Sequence, residues 1–351
     1  MTLGRVVVTG GAGFIGAAVV NALAIDGADV VVVDSMRPDV HARAADDAGE
    51  SARETLGDRL VVADVRDLEV LRGVIRGANA VVHLAAKVGL GVNVDDIDDY
   101  VSSNDLGTAV VLRACAGEGV SRVVQASSMV VYGEGRYTCE AHGVVAPGPR
   151  AVNSLRRGEF EPPCPQCGSV LEPGLVYEGS RLDPRSTYAA TKVAQEHLAT
   201  SWARETHGTA VSLRLHNVYG PGMPRDTPYA GVAARFLSSL ERGEPPRVFE
   251  DGHQRRDFVH VDDVAQAFVA ALGGVGQGHH AYNVGSGVVT TIGEMAAALA
   301  ADRRGAEPVV TGEFRLGDVR HITASSDLAA IELAWRARIP LCDGVTGLTV
   351  C

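Results

Sequence analysis

Arg5-Val6-Val7-Val8-Thr9-Gly10-Gly11-Ala12-Gly13-Phe14-Ile15-Gly16 is the stretch on which the reading of the fold turns. A short β-branched run ends in glycines spaced G-x-x-G-x-x-G, and a helical pattern over Ala17 to Gly27 follows. Strand, glycine turn and helix in that order bring backbone N–H groups to the positive end of a helix, where a pyrophosphate can be held. A tight packing turn would use the same glycines, so the trio alone decides little. The next strand, Asp29 to Val33, adds the missing context. It ends in Asp34, eighteen residues beyond Gly16, where a carboxylate can hold adenosine ribose hydroxyls. Gly10, Gly13, Phe14, Ile15, Gly16 and Asp34 thus form the core of an expected dinucleotide site. A carboxylate at position 34 would repel a 2′-phosphate, which favours NAD over NADP, although Arg37 lies close enough to blunt that preference.

Outward from this turn, strand and helix patterns alternate. Leu60 to Ala63 reads as a strand followed by Asp64 and Val65, with Asp64 placed to accept from an adenine amine and Asp67 placed to cap a helix over Leu68 to Arg76. Ala80 to Ala86 is a buried strand whose end, Leu84-Ala85-Ala86, suits close approach by a cofactor. Asn104 opens an amphipathic helix that runs through Thr108 to Gly117. Val120 to Ser128 is a further strand, and Ser128 at its carboxyl end lies where ligands bind in open α/β sheets; capping the next turn is its simpler role. Ser186-Thr187-Tyr188-Ala189-Ala190-Thr191-Lys192 starts a helix that stacks a tyrosine and a lysine on one face, about 5–6 Å apart at Cβ. An ammonium beside a phenol favours the phenolate, which makes a base able to work below tyrosine's ordinary pKa of about 10.

Composition narrows the function. At 351 residues and a formal charge of −11, the chain can bury a sizeable core and offers no general attraction to nucleic acid or to an anionic membrane. The N-terminus runs straight into a strand and no apolar run reaches membrane-spanning length, so a soluble, cytoplasmic protein is expected. Six cysteines do not make a dense disulfide framework, and close pairs among them read as metal ligands.

Taken together, the glycine turn with Asp34, Ser127-Ser128 and Tyr188-x-x-x-Lys192 resemble the extended short-chain dehydrogenase/reductase family, specifically its nucleotide-sugar epimerases. Further matches are Arg214-Leu215-His216-Asn217-Val218-Tyr219-Gly220-Pro221-Gly222, Arg255-Arg256-Asp257-Phe258-Val259-His260, Asn283-Val284-Gly285-Ser286-Gly287 and Gly317-Asp318-Val319-Arg320-His321. The resemblance covers nearly the whole chain. It implies an α/β fold with a Rossmann-type doubly wound parallel sheet over residues 1–220 and a smaller, interleaved C-terminal substrate domain over 221–351. It also implies epimerisation of a nucleotide-diphosphate sugar at C4 through a 4-keto intermediate. Tyr188 would act as base, Lys192 would lower its pKa and hold the nicotinamide ribose, and Ser128 would bond the sugar oxygen. NAD would stay bound through turnover. Asn104 joins the implied cofactor contacts, and Asn217, Arg256 and Arg315 are the implied substrate contacts, the arginines on the diphosphate. A homodimer through helices beginning near Asn104 and Tyr188 is implied as well. A 4,6-dehydratase of the family would need an Asp-Glu pair after the strand-end hydroxyl, where this chain has Met129-Val130. A ketoreductase shares the triad, and Asp34 argues against its NADP; a sensor without turnover would lack part of the triad.

Ser128 and Tyr188 are sixty residues apart, about twice the spacing the resemblance leads one to expect, which places an insert at 134–178. It carries Cys139-Glu140-Ala141-His142 and Cys164-Pro165-Gln166-Cys167. Two such pairs supply the four ligands of a closed structural Zn²⁺ site with no open position for catalysis. The insert resembles that of a bacterial subgroup assigned as dTDP-L-rhamnose 4-epimerases, which implies a 6-deoxy sugar.

Overall fold

The computed structural model describes residues 3–37, 54–89, 94–225, 230–346 and 348. Most of the polar stretch expected as a loop and surface helix over Pro38 to Asp58 lies outside the described residues.

Three parallel strands, β1 (Arg5–Thr9), β2 (Asp29–Asp34) and β3 (Leu60–Val62), with helices α1 (Phe14–Ile25) and α2 (Leu68–Ile75), form the first half of the main sheet. On the other side of β1 lie β4 (Ala80–His83), β5 (Arg122–Ser128), β9 (Thr209–Leu215) and β13 (Gly278–Val284). All seven strands are parallel, in the order β13-β9-β5-β4-β1-β2-β3. The architecture is the expected doubly wound α/β sheet. The β-branched runs explain why both faces are covered. Val6 and Val8 bury on one face among Val19, Val20 and Leu23 of α1, and Val7 buries on the other with Leu71 and Ile75 of α2. Each such side chain contributes roughly 1.5–3 kcal/mol on leaving water.

Helix α3 differs from its expected start. It has an α-helical turn at Ile97–Tyr100, a π-helical segment at Val101–Leu106 and an α-helix at Gly107–Gly117, so Asn104 lies inside the helix instead of opening it. Helix α4 (Thr187–Thr206) begins as expected, because the Ser186 side chain caps it by accepting from the Ala189 N–H at 3.1 Å. Asp67 caps α2 in the same way, accepting from Val70.

The segment between β5 and α4 makes its own three-stranded antiparallel sheet from β6 (Arg136–Cys139), β7 (Gly143–Val145) and β8 (Glu172–Gly174). Beyond β9 come β10 (Asn217–Tyr219), α5 (Val232–Glu241), β11 (Arg247–Val248), β12 (Arg255–His260), α6 (Val261–Gly274), β14 (Val289–Thr291) and α7 (Ile292–Arg303). Strands β10, β12 and β14 form a second small sheet, whereas α6 packs on α1 and β13 returns to the main sheet, so strand-helix alternation resumes past Gly220. Among the described residues no helix is long and apolar enough to cross a membrane.

Buried charge joins the insert to the C-terminal part. Arg320, 1% exposed, donates to Glu161, Glu250 and Asp251 at 2.7–2.8 Å. Its backbone N–H donates to Glu134, and Arg150 pairs with Glu250 at 2.8 Å.

Candidate active site

The glycine turn sits where the strand order of the sheet reverses, between β1 and β4, the place where open α/β sheets bind ligands. Gly10 has φ +72°, and a Cβ there would come 2.6 Å from the Ala85 nitrogen. A Cβ on Gly16 would meet the Gly10 carbonyl oxygen at 2.1 Å. Both glycines are demanded by the protein's own packing. Gly13 is different, since its Cβ would meet nothing nearer than 3.4 Å; here glycine leaves space beside the start of α1 for something other than protein. A cavity of about 320 Å³ borders this turn at Gly13, Phe14, Gly222 and Asp262. Asp34 lies at the end of β2, where its carboxylate accepts from Ala12 N–H at 3.1 Å and Met36 N–H at 3.0 Å. Arg37 is held in a two-pronged pair with Asp99 at 3.1 and 3.2 Å.

Ser128, Tyr188 and Lys192 meet at the carboxyl ends of β5 and β9. Ser128 pairs with Leu215 in the strand register, and its hydroxyl is within hydrogen-bonding reach of the Tyr188 phenol. It also accepts from Val130 N–H at 3.4 Å, so it caps the next turn too. Lys192 Nζ donates to the Ala126 carbonyl at 2.8 Å and sits 5.8 Å from the Tyr188 ring centroid. In the protein alone burial dominates both groups. Burial pushes Tyr188 up to about 12, against the hydrogen bond from Ser128, and burial pulls Lys192 down to about 8. Met129 and Val130 occupy the turn after Ser128, with no acidic pair.

Three expected contacts are placed differently. Asn104 is fully enclosed; its oxygen accepts from Lys87 N–H at 2.7 Å, and its amide donates to the Lys87 carbonyl and Thr191 hydroxyl. It ties α3 to α4 and has no exposed edge to offer a cofactor. Asp64 is engaged by Arg66 at 2.6 and 2.9 Å, and that hydrogen bond lowers its pKa. Arg256 is held by the backbone, donating to the carbonyls of Arg255, Arg320 and Val319 at 2.7–2.9 Å. Val65 is buried in the core, and Leu84, Ala85 and Ala86 lie at the β4 end as expected. Asn217 keeps a buried side-chain oxygen that makes no hydrogen bond among the described residues.

Two residues went unread. Glu196 continues the Tyr188, Lys192 spacing by four more positions, a signal present in the sequence. It accepts from Ser127 at 2.5 Å and from Arg214 at 2.7 and 2.9 Å, and its charge favours the ammonium of Lys192. His216, 4% exposed, has both ring nitrogens buried without a hydrogen-bond partner among the described residues, and burial keeps it neutral.

In the insert, one ligand atom each from Cys139, His142, Cys164 and Cys167 lies within 4.8 Å of all the others. Neighbouring atoms are 3.4–3.7 Å apart, close to the edges of a tetrahedron around Zn²⁺ with Zn–S near 2.3 Å. Gly143 at φ +67° and Gly168 at φ +74° follow the two pairs and turn the chain back. Hydrogen bonding with Ser169 lowers the Cys167 thiol to about 6, toward the thiolate a metal binds. Beside the insert, a cavity of about 530 Å³ is lined by Glu134, Pro147, Arg150, Arg181, Arg185, Arg315 and Asp318 among others.

Known proteins give this geometry its context. The chain is 34% identical over 350 residues to dTDP-L-rhamnose 4-epimerase of Burkholderia thailandensis, spanning 97% of this chain and 93% of that protein. It is 31% identical over 348 residues to UDP-glucose 4-epimerase of Mycolicibacterium smegmatis, spanning 97% and 96%. Among solved structures it is similar to MoeE5 in complex with UDP-glucuronic acid and NAD, with a TM-score of 0.75, 30% identity and coverage of 98% and 97%. The sequence profile of the NAD dependent epimerase/dehydratase family matches residues 6–150 and 166–285, leaving out part of the Cys/His segment. With the profile matched over most of its length, the chain belongs to the NAD dependent epimerase/dehydratase family.

Proposed function

We propose that this protein is an NAD-dependent nucleotide-sugar 4-epimerase acting on a uridine or thymidine diphosphate hexose or 6-deoxyhexose. The observation that carries the reading is the gathering of Ser128, Tyr188 and Lys192 at the strand ends next to the glycine turn. The first 220 residues carry the cofactor site and 221–351 mainly cover the substrate. NAD would be held by the Gly10–Gly16 turn, Asp34, the Leu84–Ala86 strand end and Lys192. The open space at Gly13 and the carboxylate at Asp34 fit it, and Arg37 is held by Asp99. When bound, NAD supplies the hydride acceptor and donor. The protein's part is proton handling and orientation. Tyr188 Oη removes the proton of the sugar 4-hydroxyl and later returns it, Ser128 Oγ holds the same oxygen, and the Lys192 ammonium stabilises the phenolate. A 4-keto sugar that turns over between the two transfers inverts one carbon. With Met129-Val130 in place of an acidic pair, the turn after Ser128 has no group to eliminate water. Similarity to the dTDP-L-rhamnose enzyme favours a 6-deoxy sugar.

The Cys139, His142, Cys164, Cys167 cluster is proposed to hold a structural Zn²⁺, closed to catalysis because protein fills all four positions. The outer side of α3, with Ile97, Val101 and Leu106 exposed, supports a homodimer through α3 and α4.

Tyr188→Phe lowers kcat by at least about 100-fold while the absorbance of co-purified NAD is unchanged; full activity in that variant, with any UDP- or dTDP-sugar the wild type converts, removes the mechanism. Lys192→Met tests the electrostatics. Its folded pKa lies below the ordinary 10.5, so the unfolded chain binds the extra proton between about pH 8 and 10.5 and burial of the charge costs stability at lower pH. Stripped of NAD, the variant is more stable than wild type at pH 7 by ~1–3 kcal/mol in urea, and the gap narrows toward pH 10. A gap that widens with pH refutes the assignment. Purified protein contains about one zinc per chain by metal analysis, and Cys164→Ser loses it together with a fall in Tm; metal-free wild type of equal stability ends the zinc proposal. Light scattering gives the mass of two chains, and Val101→Glu shifts it to one.

A further inference from the structure

We propose that Arg181 is a substrate-binding residue that grips the diphosphate of the nucleotide sugar together with Arg315. The proposal rests on the nucleotide-sugar reading of the site and adds a residue from the segment that leads out of the Cys/His insert. Arg181 and Arg315 line the same cavity of about 530 Å³, walled by insert residues on one side and by Arg315, Gly317 and Asp318 from the C-terminal part.

The basic residues of this cavity are not equivalent. Arg150 is neutralised by Glu250 at 2.8 Å and Glu134 at 3.8 Å, and Arg185 by Asp183 at 2.7 Å. Arg256, expected on the diphosphate, spends its terminal nitrogens on three backbone carbonyls. Arg315 lies over the Phe249 ring at 5.1 Å, which leaves its N–H edge available, and makes no side-chain hydrogen bond or ion pair among the described residues. The Arg181 side chain likewise has no hydrogen-bond or ion-pair partner among the described residues. Two guanidinium groups without a hydrogen-bonded ion-pair partner among the described residues, lining one cavity, are what a diphosphate requires; each presents paired N–H donors that match phosphate oxygens. Asp318 in the same wall opposes an anion, but Arg256 and Arg315 already act on its charge and burial raises its pKa, so the local balance stays positive.

The path of the segment is built, not loose. Asp183 N–H donates to the Val131 carbonyl at 2.8 Å, and glycine at 133 is obligatory because a Cβ would stand 2.4 Å from the Asp183 carbonyl oxygen. Glu178 accepts from Asn283 N–H at 2.8 Å, and Ser180 closes a turn with Tyr177 at 2.9 Å. These contacts pin residues 178–183 between the sheet end and the turn after Ser128, and Arg181 is carried by them to the cavity wall. The insert that separates Ser128 from Tyr188 would thereby contribute directly to substrate affinity.

The test measures calorimetric binding of UDP and dTDP to the NAD-loaded protein. Arg181→Ala weakens the nucleotide that wild type binds by about 10- to 100-fold, and Arg181→Lys restores part of it because it keeps the charge without the fork. With the sugar substrate, KM rises while kcat stays within about threefold, the mark of lost binding shared by ground and transition states. Arg157→Ala, which removes an exposed insert arginine paired with Glu159 at 2.6 Å, leaves binding unchanged. Equal affinity of wild type and Arg181→Ala for both nucleotides overturns the role of Arg181 and leaves the epimerase reading standing. Wild type that binds neither UDP nor dTDP overturns both.

Discussion

Arg214 on β9 holds Glu196 on α4 through two hydrogen bonds, at 2.9 Å from Nε and 2.7 Å from an Nη nitrogen, with both side chains buried. Taking two charges out of water costs several kcal/mol per ion in order of magnitude, and only good geometry with extra hydrogen bonds repays it. Here the extra bonds come from Ser127 to Glu196 and from Arg214 to the Tyr132 hydroxyl and the Glu178 carbonyl. One ion pair thus touches β5, α4, β9, the turn after Ser128 and the exit of the insert. It sets the rotation of α4, and that rotation is what turns Tyr188 and Lys192, eight and four residues earlier on the same helical face, toward the sheet end. Glu196 has a second effect, since its charge partly compensates the buried ammonium one turn away.

The insert has little core of its own: Tyr137, Cys139, Val145, Cys164 and Leu171 make up its buried apolar cluster. So small a cluster does not offset the conformational entropy of a proline-rich segment. Order is imposed from outside at two places, by the four converging ligand side chains and by the charges around Arg320. Glu161 bridges Arg320 and His321, and Glu250 bridges Arg320 and Arg150, which makes the contact a network instead of a row of separate pairs. A network of this kind fixes the relative position of the insert and the C-terminal wall, and the larger cavity lies between them.

How much of this could be read from the chain follows from the range of each cause. The glycine turn was legible because strand, turn and helix are set within a dozen residues, and the reason for glycine at 16 is a close approach within the turn itself, whereas Gly10 also yields to the distant Leu84-Ala85 backbone. The Cys/His cluster was legible for another reason: each pair is local, and ligand chemistry says that two pairs belong together. The setting of Asn104 is not legible, because its surroundings are the Lys87 loop and Thr191, and a π-helical turn has no short sequence signature. The surroundings of Arg256 are hidden for a similar reason, because two of the three carbonyls that hold it lie more than sixty positions away in sequence. In both cases the residue type suits a ligand, and the contacts that position the side chain come from distant parts of the sequence.

The Tyr188 and Lys192 electrostatics separate the chemistry of a motif from the state of a site. Spacing alone argues that the ammonium lowers the phenol, which holds when both face water or when the cation dominates. Burial penalises each charged form, so the stable pair at neutral pH is a neutral phenol beside an ammonium, with values of about 12 and 8. The same enclosure strengthens any charge brought within reach, because the effective dielectric falls as water leaves. A pocket built this way resists forming the phenolate on its own and responds steeply to added positive charge or to a hydroxyl positioned against Tyr188.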